Sequence, residues 1–201
     1  MSSTPAPAHA GLAPSAWVTR FGALARPAGT VLDLACGQGR HARWFAQRGH
    51  RVCAVDSDTL ALAGLPAGVE AIQADLEASP WPLPGRQFDV VVVTNYLWRA
   101  LLPRIVESVA EDGWLIYETF AVEQAGIGRP SNPDFLLRPG ELLDAARPAL
   151  RVVAYEDGFL SAPDRFVQRV AAVRESAESA RASACNRALA LSGTGPGKDG
   201  G

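Results

Sequence analysis

At 201 residues the chain has room for one domain of ordinary size, burying roughly 70% of its unfolded surface; two independent domains would be cramped. Apolar residues at 48% and charged residues at 20% exclude a fibrous or wholly disordered chain. A formal net charge of -2, with acids and bases interspersed, leaves no electrostatic footprint of the kind that drives nucleic-acid binding.

Residues 1–14 are rich in Ala, Pro and Ser and predict a flexible tail. The opening MSSTPAPAHAGLAPS has neither a basic stretch nor a continuous apolar one, and no apolar run approaches the 18 or so residues of a membrane span, so no export or membrane address is expected. A single domain is then expected over 15–175. VLDLA (31–35) reads as a strand, and GRHARWFAQRG as a helix with Ala42, Phe45 and Ala46 on one face and Gly49 as C-cap. RVCAVD (51–56), VEAIQAD (69–75) and FDVVVVTN (88–95) read as further strands, the last apolar enough to be buried on both faces. LLPRIVESVAEDG predicts a helix ending near Gly113, and WLIYETF (114–120) the next strand. This alternation predicts an α/β fold, a Rossmann-like, doubly wound and mostly parallel sheet.

Beyond it come a long loop, a short helix in RPGELLDAA with Pro139 in its first turn, and two strand-like runs, LRVVAYEDGFL and RFVQRVAAVRE, joined by SAPD. That pair predicts a C-terminal antiparallel hairpin, completing seven strands. The stretch 176–201 drifts into Ser, Ala and Gly and predicts a second, disordered tail; the Ala content of 175–191 allows a helix, but its apolar positions form no clear stripe. Cys36, Cys53 and Cys185 have no metal-ligand or paired spacing, so no metal is expected and a reducing, cytoplasmic setting is.

The chemistry is carried by Asp33-Leu34-Ala35-Cys36-Gly37-Gln38-Gly39, where the first strand turns into the first helix. Small residues at 35, 37 and 39 let the backbone approach a ligand, and the helix start favours an anion, either a pyrophosphate or a methionine carboxylate. Gly37-Gln38-Gly39-Arg40-His41-Ala42 also satisfies the G-x-G-x-x-G/A dinucleotide pattern, and Asp56 at the second strand's end suits any ribose. Two acids separate the alternatives. Asp33 beside the loop would repel a pyrophosphate and suits an ammonium, and Asp75 at the third strand's end can accept from an adenine amine.

VLDLACGQGRHARWFAQRGHRVCAVDSD, with IQADLE and FDVVVVTNYLWR downstream, resembles the class I S-adenosylmethionine-dependent methyltransferases, and among them small bacterial tellurite-resistance-type members. The resemblance spans roughly residues 31–170. It implies S-adenosyl-L-methionine as cofactor, with Gly37, Gly39 and Asp33 at its methionine moiety, Asp56 followed by Ser57 at the ribose, and Asp75 with the Leu76 backbone at the adenine. Asn95 and Tyr96 would lie beside the reacting methyl group. Ala35 stands where the family usually has the first glycine of G-x-G-x-G.

Tyr96, His41 and Glu118 are the candidate catalytic or positioning groups. Against these stand packing roles for His41 and for Trp81, Trp98 and Trp114, and a capping role for Asp75. The loop in YETFAVEQAGIGRPSNPDFLLRPGEL either covers an acceptor with Glu118, Arg129 and Asn132, or is structural and held by Phe135 and Leu136. The absence of a basic patch favours a small-molecule acceptor; a protein or RNA methyltransferase and a non-catalytic S-adenosylmethionine-binding partner subunit are the alternatives.

Overall fold

The computed structural model describes residues 13–185. A seven-stranded sheet runs in the order β3-β2-β1-β4-β5-β7-β6. Its strands are β1 (Thr30–Leu34), β2 (Arg51–Asp56), β3 (Glu70–Gln73), β4 (Phe88–Thr94), β5 (Val109–Phe120), β6 (Arg151–Leu160) and β7 (Arg165–Val173). The first five are parallel, and β7 runs antiparallel between β5 and β6. This is the expected doubly wound sheet closed by a C-terminal hairpin.

Side-chain alternation along the strands splits the core in two. One layer packs α1 (Ala16–Gly22), α2 (Arg40–Ala46) and α3 (Thr59–Ala63) through Trp17, Phe21, Ala42, Phe45 and Leu62 onto Val31, Val90, Val92 and Ile116. The opposite layer packs α4 (Leu102–Glu107) and α5 (Glu141–Ala146) through Ile105, Val106, Leu142 and Ala146 onto Leu32, Val91, Val93 and Leu115. Val90 to Val93 of β4 are fully buried and serve both layers, which is why that strand reads as an unbroken apolar run. The α2 helix ends as expected: the amides of Gly49 (φ 82°) and His50 donate to the carbonyls of Ala46 and Phe45 in a Schellman closure.

Three boundaries differ from the sequence reading. The α4 helix stops at Glu107 rather than near Gly113, because Val109 already pairs with Phe88 and residues 110–113 bulge out before Trp114 takes the register of Val90. Gly113 is required there, since a β-carbon would lie 2.8 Å from the Ala110 carbonyl and 2.9 Å from that of Phe88. Pro139 sits ahead of the α5 cap, Gly140, instead of within the first turn. The expected C-terminal tail begins with a helix, α6 (Ala177–Cys185), tied to the bulge by hydrogen bonds from the Ser176 amide and hydroxyl to the Asp112 carboxylate at 3.0 Å. Residues 1–12 and 186–201, the rest of both expected tails, lie outside the described residues.

Candidate cofactor and acceptor site

The glycine loop leaves the carboxyl end of β1 through alternating left-handed residues: Ala35 (φ 52°), Gly37 (φ 51°) and Gly39 (φ 69°). A β-carbon on Gly37 would meet nothing within 4 Å, so this residue opens onto free space. At Gly39 the same addition would fall 2.0 Å from Leu65 Cδ2, so here glycine serves close packing under the loop. Asp56 ties the loop to β2: its Oδ2 accepts from the Gly37 amide at 2.8 Å, and its Oδ1 from the Asp58 amide at 2.9 Å. Each of those oxygens keeps a second lone pair for a ligand hydroxyl. Ser57 is exposed beside it.

Farther along the edge, Asp75 is exposed and Leu76 buried. Asp75 Oδ1 caps its own turn, accepting from the amides of Glu77 (3.0 Å) and Ala78 (3.1 Å), while Oδ2 has no hydrogen-bond partner among the described residues. Asn95 follows β4 and is exposed, with φ 55°, its amide donating to the Glu118 carbonyl at 2.9 Å. The Tyr96 backbone is held from below, its carbonyl accepting from the Tyr117 hydroxyl at 2.8 Å. The Tyr96 hydroxyl itself is buried without a partner; burial, then Glu77, Asp75 and Asp56, push its pKa well above the ordinary phenol value. These acids place it in the field of the β2 and β3 ends.

The remaining candidates are deeper. Asp33 is buried and its Oδ2 accepts from the Ala42 amide at 2.8 Å, pinning the start of α2; burial above all raises its pKa to about 7. His41 is buried too, 4.0 Å from Asp33 through Nδ1, with Nε2 accepting from the Ser15 amide at 3.2 Å. Burial, then Arg40, lower its pKa to about 3, so the imidazole is neutral and enclosed, the packing role weighed against catalysis. Glu118 is completely buried beneath the α1 start, where the Ser15 hydroxyl donates to its two oxygens at 3.2 and 3.3 Å. Arg169 Nη1 lies 3.4 Å and Arg165 Nη2 3.5 Å from the same carboxylate. His41 and Glu118 thus meet at Ser15, apart from Asp56, Asp75 and Tyr96.

Sequence reasoning missed Ser15, Arg165, Arg169 and Arg99. Ser15 before AWVTRFG had the form of an N-cap, and its hydroxyl does accept from the Trp17 amide. Arg169 was legible only once β7 was paired with β5, because its register partner is Glu118. Arg99 anchors the loop after β5, donating to Glu141 and to the carbonyls of Asp134 and Leu136 at 2.6 to 2.7 Å. Leu136 and Leu137 are buried while Phe135 is exposed, and Asn132 caps its own turn at Asp134. That loop is structurally pinned, by Leu136 more than Phe135. No cluster of potential metal ligands occurs among the described residues.

Residues 31–113, which hold the glycine loop, Asp56, Asp75 and Tyr96, match the methyltransferase domain family. That segment is similar to methyltransferase domains, and the fold matches that of solved S-adenosylmethionine-dependent methyltransferases. The chain superposes on TehB from Haemophilus influenzae with a TM-score of 0.64 and 20% identity, covering 79% of this chain and 61% of that one. An S-adenosylmethionine-dependent methyltransferase from Mesorhizobium loti matches with a TM-score of 0.61 and 18% identity over 80% of this chain and 99% of the other. The methyltransferase str3 of Strobilurus tenacellus is 32% identical over 98 residues, 44% of this chain. The chain spans only about a third, 34%, of that relative.

Proposed function

We propose that the protein transfers a methyl group from S-adenosylmethionine to a small-molecule acceptor, with residues 15–175 as the working unit in a reducing, cytoplasmic setting. The observation that carries this reading is the loop Ala35 to Gly39: three left-handed residues, open space above Gly37, and Asp56 fixed to the Gly37 amide. That cradle fits the cofactor of the domain class. Asp56 is the ribose acceptor, with Ser57 beside it. Asp75 Oδ2 is the acceptor for the adenine amine, and the Leu76 backbone borders the ring. The orphaned Tyr96 hydroxyl, which feels the charges of Glu77, Asp75 and Asp56, is a donor to the adenosine half rather than a base at the acceptor. Asn95, exposed at the end of β4, borders the reacting edge.

When bound, the cofactor supplies a methyl group already activated on a sulfonium. The chain's task is therefore orientation and exclusion of water, which together lower the barrier without a resident proton acceptor. His41 is neutral and enclosed, and Glu118 is engaged by Ser15 and two arginines, so both support the edge instead of exchanging protons with an acceptor. Asp33 keeps the α2 start aligned and offers its remaining lone pairs toward the methionine ammonium.

Calorimetry with S-adenosylmethionine, S-adenosylhomocysteine and NAD tests the cofactor: saturable binding of the two sulfur nucleosides and none of NAD is expected, and the reverse would overturn the reading. Incubation with methyl-labelled cofactor and cell extract tests the acceptor. Label is expected in the small-molecule fraction; label on protein or RNA would move the assignment to a macromolecular acceptor, and cofactor binding without turnover to a partner subunit.

A further inference from the structure

The half of the carboxyl edge beyond β4 carries an ionic cluster that the cofactor reading does not use. Three arginines face two glutamates there. Arg169 is shared between Glu118 and Glu156, and stacks over the Trp17 ring at 4.7 Å. Arg165 touches Glu118 only at 3.5 Å, long for a hydrogen bond, and its Nε is buried with no partner. Arg40, the residue after Gly39, has no carboxylate within ion-pair distance among the described residues, yet feels Glu118 and Arg165. Burial is the main influence on Arg40 and lowers its pKa. The other acid near it, Asp33, is held by burial at about 7 and so does not supply a full charge at neutral pH.

One positive charge and one buried N–H donor are therefore left over. A buried unpaired donor is costly, the more so when charged, so a structure retains one where something else satisfies it. We propose that Arg165, whose charge Arg40 reinforces at longer range, forms a carboxylate-binding subsite that selects small acceptors bearing a single carboxylate. This rests on the methyltransferase reading for the word acceptor, but the anion site stands on its own geometry. A monoanion matches the single excess charge, whereas a phosphate dianion would leave one charge unmatched. The planar guanidinium fork suits a carboxylate.

Two carboxylates compete for this assignment, that of the acceptor and that of the cofactor's methionine. Position separates them. The β7 strand stands three strands from β1, about 14 Å at ordinary strand spacing. Arg165 thus approaches from the side opposite the adenosine half, and Arg40 adds its charge from the end of the glycine loop.

The full chain, with and without saturating S-adenosylhomocysteine, is titrated with acetate, benzoate and phenylacetate and with the corresponding amides, followed by ligand-observed NMR. At least one acid is expected to bind about tenfold or more tightly than its amide, with R165Q removing that preference and leaving S-adenosylhomocysteine affinity within about twofold. R165K, which keeps the charge and loses the fork, is expected to retain part of it, and serves if R165Q does not fold. Equal binding of every acid and its amide to wild type would overturn the proposal, as would an unchanged preference in R165Q. A loss of S-adenosylhomocysteine affinity in R165Q equal to the loss of acid binding would hand Arg165 to the cofactor instead. Failure of wild type to bind S-adenosylhomocysteine sinks the methyltransferase reading alone, because the arm without nucleoside still decides the anion site.

Discussion

The two halves of the carboxyl edge are built differently. At the exposed ends of β2 and β3 the acids act mostly locally: Asp56 reaches Asp58, Asp75 reaches Glu77 and Ala78, and a longer tie joins Asp56 to Gly37. Their carboxylates are partly or fully exposed and have capacity to spare. On the side of β5 and β7, Ser15, Glu118 and Arg169 come from well-separated parts of the chain and are held by pairing across strands and by the cap of α1. A half that is local and open can be altered with little effect on the fold, whereas a half that is buried and mutually dependent cannot.

The sharpest test of that contrast is Glu118→Ala. Removing a fully buried carboxylate strands Arg165, leaves Arg169 with Glu156 alone and frees the Ser15 hydroxyl, so a loss of about 3–5 kcal/mol is expected from the denaturant midpoint. Asp75→Ala, which breaks only a surface turn, should cost about 1 kcal/mol. Comparable losses in the two variants would erase the distinction.

A second test concerns Asp33 and His41, which sit at the seam between the halves. Asp33 holds its proton more tightly folded than unfolded, so its contribution to stability falls as pH rises from about 4 to about 7. His41 holds its proton less tightly when folded, so its contribution rises as pH goes from about 3 to 6.5. The slopes oppose one another over most of that range. His41→Gln should therefore make stability, measured relative to wild type by urea unfolding, fall by a few kcal/mol between about pH 4 and 7. Asp33→Asn should show the opposite trend. Parallel pH profiles for wild type and both variants would show that the two groups do not titrate as their burial requires.

Asp56→Ala probes the open half through binding. Losing a charged acceptor for the ribose hydroxyls is expected to weaken S-adenosylhomocysteine by about 1.5–3 kcal/mol, roughly 10- to 150-fold, with the circular dichroism spectrum preserved. Part of that loss comes through the loop, because Gly37 also loses its partner. Wild-type affinity in the folded variant would remove Asp56 from the proposed ribose site.

Much of the open half was legible because its information is local. The spacing of 35, 37 and 39, and an acid at each of three strand ends, are properties of short segments, and the strand alternation needs only the period of the apolar residues. The Glu118 cluster was not legible in that way. Glu118 is read from sequence as one polar residue in an apolar strand, and its partners are fixed only when β7 enters the sheet antiparallel beside β5 and α1 folds over the edge. The bulge at 110–113 was hidden for a related reason. Its residues suit a helix end by composition, and only the register of Val109 against Phe88 pulls them into the strand.

Ala35 belongs to the open half and carries the smallest expected effect. Its φ of 52° is a conformation that costs a residue with a β-carbon about 1–2 kcal/mol, and the methyltransferases the chain resembles usually have glycine there. Replacing it with glycine relieves that cost but adds about 0.4–1 kcal/mol of unfolded-chain entropy. The change also gives up the contact of the Ala35 methyl with the apolar cluster under the edge. The terms nearly balance, so Ala35→Gly is expected to shift stability by no more than about 1 kcal/mol, toward greater stability, and to leave S-adenosylhomocysteine affinity within about twofold. A clear destabilisation, read from the same urea midpoints, would mean that the methyl group's packing outweighs the strain. The loop at 35 would then depend on the buried layer beneath it, and the open half would be less independent of the core than its local hydrogen bonds imply.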